Sequence, residues 1–288
     1  MPDFPIVDTH VHFWDRDAVP ISWMHEPFPA IDRPFLPANL DTDRGPVELE
    51  SIVFVEANVE SGYHPLEADW VASLASNDSR IQAIVAHAPL ERGAVVIDEL
   101  RQLAAKPLVR GIRRLIQGSD ALALCADPAF IEGVRTVAKV DLHFEICILH
   151  DQLAPVLKLV EQCPDVRFVL DHIAKPGIKA GLREPWWSEI KELAGFDNVA
   201  CKLSGVATEA DHQHWSEAQL QPYLARVVEV FGPERLMFGS DWPVMRLAIR
   251  YPHWVEIVER ATSGWSEADR RAFYRDNARR VYRLGNVR

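Results

Sequence analysis

The sequence predicts a (β/α)8 barrel formed by a single domain, residues 1–288, and three observations predict it. Eight short runs rich in Val, Ile, Leu and Phe recur along the chain. Amphipathic segments of helical period separate most of them, and that alternation calls for parallel strands joined by right-handed crossovers. Eight such units in 288 residues suit a barrel, which takes about 250. A doubly wound open sheet is the rival arrangement.

The elements follow in order. Strands are expected at 5–13 (PIVDTHVHF), 51–59 (SIVFVEANV), 81–88 (IQAIVAHA) and 108–116 (LVRGIRRLI). Four more are expected at 142–149 (LHFEICIL), 167–173 (RFVLDHI), 198–205 (NVACKLSG) and 235–242 (RLMFGSDW). Helical patterns such as HPLEADWVASLAS, VVIDELRQLAA, DQLAPVLKLVEQC and AQLQPYLARVVEVFG lie between them. Residues 14–50 are polar and Pro-rich, which predicts a long loop after the first strand, on the face where lids and substrate contacts gather. The tail SEADRRAFYRDNARRVYRL reads as a final helix with Ser266 as N-cap, packed outside the barrel.

Composition narrows the function. A net charge of −11 argues against nucleic-acid and anionic-membrane partners, which favour basic patches. No apolar run approaches the roughly 20 residues of a membrane span, and the N-terminus lacks a secretory leader, so a cytoplasmic location is expected. Cys125, Cys147, Cys163 and Cys201 form no CxxC pair and read as reduced thiols. A small-molecule partner remains, and the sequence leaves a homo-oligomer open.

Chemistry-bearing residues sit at the strand ends, where a barrel places its active site. His10 and His12 alternate in the first strand, so both point to one face and either converge on one ion or pair within a core; Asp8 is expected on that face too. Glu56 follows in strand 2, His87 in strand 3, and Arg113 and Arg114 in strand 4. His150 lies just beyond strand 5, Asp171 and His172 end strand 6, Lys202 lies in strand 7, and Asp241 ends strand 8. Closure of the barrel would make Asp241 a neighbour of the histidine pair. Polar termini on nearly every strand are hard to explain as core packing, since buried charge is costly without partners. Alternation puts Arg114 on the opposite face from Arg113, in a structural position. Lys202 reads either as an electrostatic group or as a snorkelling barrel residue, and Trp14 either as a wall of the site or as a packed ring. His212 and His214, in a polar loop, read as solvated.

The motifs VDTHVHFWD, VLDHIAKP, CKLSG and FGSDWPV resemble those of the amidohydrolase superfamily, and within it the branch of lactone hydrolases, over nearly the whole chain. The resemblance implies that His10 and His12 hold a divalent metal or line the site. It implies that His172 is the catalytic histidine of the strand-6 motif, that Asp241 is the general base and often a metal ligand, and that Arg113 faces substrate. Glu56 or His172 would complete the metal set, with Trp14, His150 and Lys202 as further substrate contacts. Binuclear members carry a carboxylated lysine or a glutamate on strand 4, where this chain has arginines. The expectation is therefore one divalent ion, zinc before manganese, or none. The implied reaction is opening of a lactone, with an aldonolactone such as L-fucono-, L-galactono- or L-rhamnono-lactone first. A dicarboxylate lactone and a metal-dependent decarboxylation of an aromatic or muconate acid are the alternatives.

Overall fold

The computed structural model describes residues 1–285. Eight strands, β1 (Ile6–Val11), β2 (Leu49–Val55), β3 (Ile81–His87), β4 (Val109–Arg113), β5 (His143–Ile146), β6 (Phe168–Leu170), β7 (Val199–Leu203) and β8 (Leu236–Phe238), pair in parallel in chain order. The seam closes by backbone bonds beyond the last strand: Asp241 N–H donates to the His10 carbonyl at 2.9 Å and His12 N–H to the Trp242 carbonyl at 2.7 Å. All eight expected strands are present within their predicted ranges to a few residues, and the arrangement is the closed barrel. No helix among the described residues is long and apolar enough to cross a membrane.

β1 departs from simple alternation. Its pairing with β2 is irregular between Asp8 and Val11, and one displaced residue exchanges the two faces of a strand. Val7 packs with Val53, Val55, Val85, Val169 and Met237 in one cluster. Asp8 is turned away from the histidines: its carboxylate accepts from Ser240 N–H at 2.9 Å and from the Tyr251 hydroxyl at 2.8 Å. The expectation that Asp8 shares a face with His10 and His12 is thereby corrected.

The long loop after β1 folds back on the barrel. Pro29–Ile31 form a 3-10 turn, Pro37–Asp43 form a short helix, and Trp14 bridges Phe35. Buried Phe13, Trp14, Val19, Ile21, Met24, Ile31 and Phe35 anchor it.

The C-terminal segment caps its helix as expected, Ser266 Oγ accepting from Asp269 N–H, but it does not simply pack outside. After a π-turn at Ala272–Asp276, the helix Asn277–Tyr282 meets the N-terminal ends of the strands. Asn277 donates to the carbonyl of Leu236, the first residue of β8, and Arg279 pairs with Glu50 beside the start of β2. Ala278 and Tyr282 join the Val7 cluster, so that end of the barrel is plugged.

Candidate active site

A cavity of about 420 Å3 opens at the opposite end, within the size range of small-molecule sites. His12, Arg113, His172 and Asp241 line it, and His10 lies fully buried against them. His10 Nε2 stands 3.2 Å from His12 Nε2. Asp241 Oδ1 stands 3.4 Å from His12 Nε2, 3.8 Å from His10 Nε2 and 3.9 Å from His172 Nε2. Thus the histidine doublet, the strand-6 histidine and the strand-8 aspartate meet as the sequence pattern leads one to expect.

The second nitrogen of each ring fixes what the first presents. His12 Nδ1 lies 2.7 Å from the Val55 carbonyl, which only accepts, so Nδ1 carries the hydrogen. His10 Nδ1 lies 3.3 Å from both the Lys202 ammonium, which only donates, and Asp171 Oδ1, which only accepts, so the ring is held from below by both groups. His12 Nε2 then aims its lone pair at Asp241 Oδ1, 3.4 Å away, with His10 Nε2 3.2 Å from it. Such a set of acceptors is repulsive until a cation or a proton stands among them. His172 Nδ1 is held 2.9 Å from Ser204 Oγ, within the CKLSG motif. Gly205 follows with φ +60, and a Cβ there would stand 2.6 Å from His172 Nδ1, so both the turn and the ring demand glycine.

Burial holds the His10 imidazole well below its ordinary pKa and His172 at about 4, so both are neutral and able to ligate. Burial alone would raise Asp241, but His172, His12 and Lys175 outweigh it and keep the carboxyl below its usual range.

Donor spacing tests whether the set suits an ion. Ligands about 2.0–2.1 Å from a tetrahedral zinc stand roughly 3.3 Å apart. His10–His12 and the three contacts of Asp241 span 3.2–3.9 Å, and His10, His172 and Asp241 offer ligand atoms all within 4.8 Å of one another, an open version of that geometry in which imidazole with carboxylate is zinc-type chemistry. Beneath the set, Arg113 donates from Nε to Glu56 at 2.6 Å and from Nη1 to Asp171 at 3.2 Å. Lys202 donates to Glu145 at 2.5 Å and lies 3.2 Å from Asp171. Two cations are matched by three carboxylates, so the floor does not repel a bound cation.

Several expected residues lie elsewhere. Glu56 is spent on Arg113 and the Asn58 N–H rather than turned to the histidine doublet. It groups instead with His64 and His87, whose rings stack 3.7 Å apart and 19° from parallel. Rings so stacked aim their lone pairs along two offset planes, a poor match to one ion. Lys202 is wholly buried below His10 and cannot touch substrate. Trp14 is a packed ring whose N–H donates to the Arg33 carbonyl, while Trp23 and Phe28 from the same loop line the cavity. His150 packs near Gly177, outside the lining. Arg114 pairs with Glu91, as its outer face predicts, and His214 is exposed. His212, expected in solvent, lines the cavity, its Nε2 3.0 Å from the Thr208 carbonyl.

Sequence reasoning missed Lys175 and Glu209, which face the cavity, and Glu145 beneath it. A glutamate inside the apolar run LHFEICIL was the available signal for Glu145. Lys175 stood in the VLDHIAKP motif, but nothing local shows that a turn would bring it beside His172.

The chain is similar to known proteins over nearly its whole length. An L-fucono-1,5-lactonase of Burkholderia ambifaria is 32% identical over 282 residues, covering 96% of this chain and 95% of that protein. An L-rhamnono-gamma-lactonase of Scheffersomyces stipitis is 21% identical over 337 residues, covering 99% and 100%. A crystal structure of an amidohydrolase from Burkholderia multivorans with bound zinc superimposes with a TM-score of 0.88 at 29% identity, covering 98% of this chain and 100% of that one. The amidohydrolase family model matches residues 7–284. A barrel closed at the β8–β1 seam, a histidine doublet meeting an aspartate there, and a family match across almost the whole length lead to one conclusion: the chain belongs to the amidohydrolase family.

Proposed function

We propose that this chain, folded as one barrel domain, hydrolyses a sugar lactone to its open-chain hydroxy acid. The carrying observation is the convergence of His10, His12 and His172 on Asp241 at the floor of a cavity, in a chain similar from end to end to an L-fucono-1,5-lactonase.

The chain's own groups cover the steps that a cyclic ester requires. Water must lose a proton as it attacks the carbonyl carbon, and the ring oxygen must gain one as the ester opens. Asp241 meets all three imidazoles through Oδ1, which leaves Oδ2 to accept the proton from water and return it to the leaving alkoxide. Held ionised below its usual range, Asp241 is ready to act as base at neutral pH. Arg113 lines the cavity floor, its guanidinium held in place by Glu56 and Asp171. Lys202 and Asp171 act from below: they orient His10 rather than touch substrate. Trp23 and Phe28 form an apolar wall that restricts water.

His10, His12, His172 and Asp241 would hold one divalent ion, zinc ahead of manganese. When bound, such an ion supplies Lewis-acid charge at the carbonyl oxygen.

A panel of L-fucono-, L-galactono- and L-rhamnono-lactones, assayed by acid release after chelation and again after adding zinc or manganese, tests the reading. Opening of at least one aldonolactone, strengthened by metal, is the expected result. Carbon dioxide release from an aromatic acid with no lactone opened would replace it with the decarboxylase alternative.

A further inference from the structure

Immediately after β6 the chain makes four residues of left-handed backbone, with φ of 52° at His172, 49° at Ile173, 61° at Ala174 and 45° at Lys175. None is glycine, and L-residues rarely adopt left-handed backbone because Cβ crowds the following carbonyl oxygen. Such a run persists only where its surroundings enforce it. Here the Lys175 N–H donates to the His172 carbonyl at 2.8 Å, Trp186 Nε1 donates to the Ile173 carbonyl at 2.7 Å, and Ile173 and Ala174 are fully buried. A tight turn of about three residues aligns the first and fourth side chains on one side. His172 and Lys175 accordingly both line the cavity, while the two residues between them are driven into the core.

Glu209 reaches the same cavity from the turn Ala207–Glu209 after β7. Its carbonyl accepts from the Lys179 N–H at 3.0 Å, which ties this loop to the segment following Lys175. The Lys175 and Glu209 side chains are half-buried, and both line the cavity that Asp241 also faces. Among the described residues, neither charged group forms a hydrogen bond or an ion pair. Three N–H donors and a carboxylate's acceptor sites therefore face the cavity free to meet a ligand, and a ligand that displaced water from them without replacing its hydrogen bonds would bind at a cost.

We propose, resting on the lactonase reading above, that Lys175 and Glu209 form a hydroxyl-reading pair that selects a neutral polyhydroxylated lactone. A hydroxyl donates to a carboxylate and accepts from an ammonium at once, so it satisfies both groups in one contact. An unsubstituted lactone ring leaves both charges dry and unpaired. A lactone bearing a ring carboxylate meets Lys175 but lies against Glu209 and Asp241 together, and like charge excludes it. Arg113 does not reverse that balance, because Glu56 and Asp171 already engage it.

The test compares kcat/KM of the metal-loaded enzyme on three substrates: a six-carbon aldonolactone, δ-valerolactone, and a lactone carrying a ring carboxylate. In Glu209→Gln and Lys175→Met the preference for the aldonolactone over δ-valerolactone should fall about 10- to 150-fold, the loss of one hydrogen bond to a charged group, mostly through KM. Glu209→Gln should also raise the carboxylated lactone relative to the aldonolactone. Equal losses on the aldonolactone and δ-valerolactone, or an unchanged preference, would overturn the pair. Should Lys175→Met fail to fold because of its turn, Glu209→Gln decides alone. A wild-type enzyme that opens only the carboxylated lactone overturns the sugar-lactone reading itself. A wild type that opens the aldonolactone, with Glu209→Gln keeping full selectivity, overturns only the pair.

Discussion

The two ends of the barrel are built to opposite rules. At the N-terminal end, Tyr282 and Ala278 close an apolar cluster around Val7, Val55 and Met237, and Asn277 satisfies the carbonyls of Pro233 and Leu236. At the other end the backbone is strained and the side chains are charged. Of the eight non-glycine residues with positive φ among the described residues, Asn58, His172, Ile173, Ala174, Lys175 and Asp241 follow strands at the cavity end, and Asp141 and Arg283 lie at the plugged end. Strain is concentrated where chemistry is proposed and is supported by packing elsewhere. A buried chain of charge joins the ends: the Tyr282 hydroxyl donates to Glu145 at 2.7 Å, Lys202 bonds Glu145, and Asp171 meets both Lys202 and His10. The contrast teaches that one end can be altered at the expense of activity and the other at the expense of stability.

Asp241→Asn should separate the two most sharply. Asn tolerates the left-handed backbone at this position, where φ is 64°, so the turn survives while the base is lost. Lactone kcat/KM should fall about 10³-fold with no fall in melting temperature. An unfolded variant, or one with full activity, breaks the division of labour.

Tyr282→Ala should give the mirror result. Emptying the plug should cost about 3–5 kcal/mol in urea unfolding. Coupling relayed through Glu145 and Lys202 is worth about 0.5–2 kcal/mol, so kcat/KM of the folded enzyme should drop no more than about 30-fold. A loss matching that of Asp241→Asn would mean that the buried charge chain governs the chemistry directly.

The same contrast explains what could be read from the sequence. Eight strands and their closure were legible because apolar runs and helical spacing report burial directly. His10, His12, His172 and Asp241 were legible because strand ends in a barrel converge. What escaped depended on backbone path. The irregularity in β1 exchanged Asp8 for another face, and the left-handed turn delivered Lys175. Likewise, the identity of a tryptophan did not reveal which ring of the long loop, Trp14 or Trp23, would meet the cavity. Tyr282 was read as an outer helix residue because its apolar pattern fits either surface of a barrel, and the tertiary path alone selects the N-terminal end of the strands as its partner.

The smallest predicted effect concerns pH and lies at the cavity end. Burial raises the Glu209 carboxyl from 4.5 to about 6, with Lys175 opposing the shift. Between those values the folded chain keeps a proton that the unfolded chain has released, so stability falls as pH rises through that window. Above it the ionised group costs roughly 2 kcal/mol relative to its protonated form, at 1.36 kcal/mol per pH unit. Glu209→Gln removes the titration and should therefore be more stable than wild type at pH 8 and nearly equal to it at pH 4. The checking measurement is the urea midpoint of both proteins across that range. A wild type that gained on the variant as pH rose would place Glu209 in a tight native ion pair, which the open geometry of the cavity contradicts.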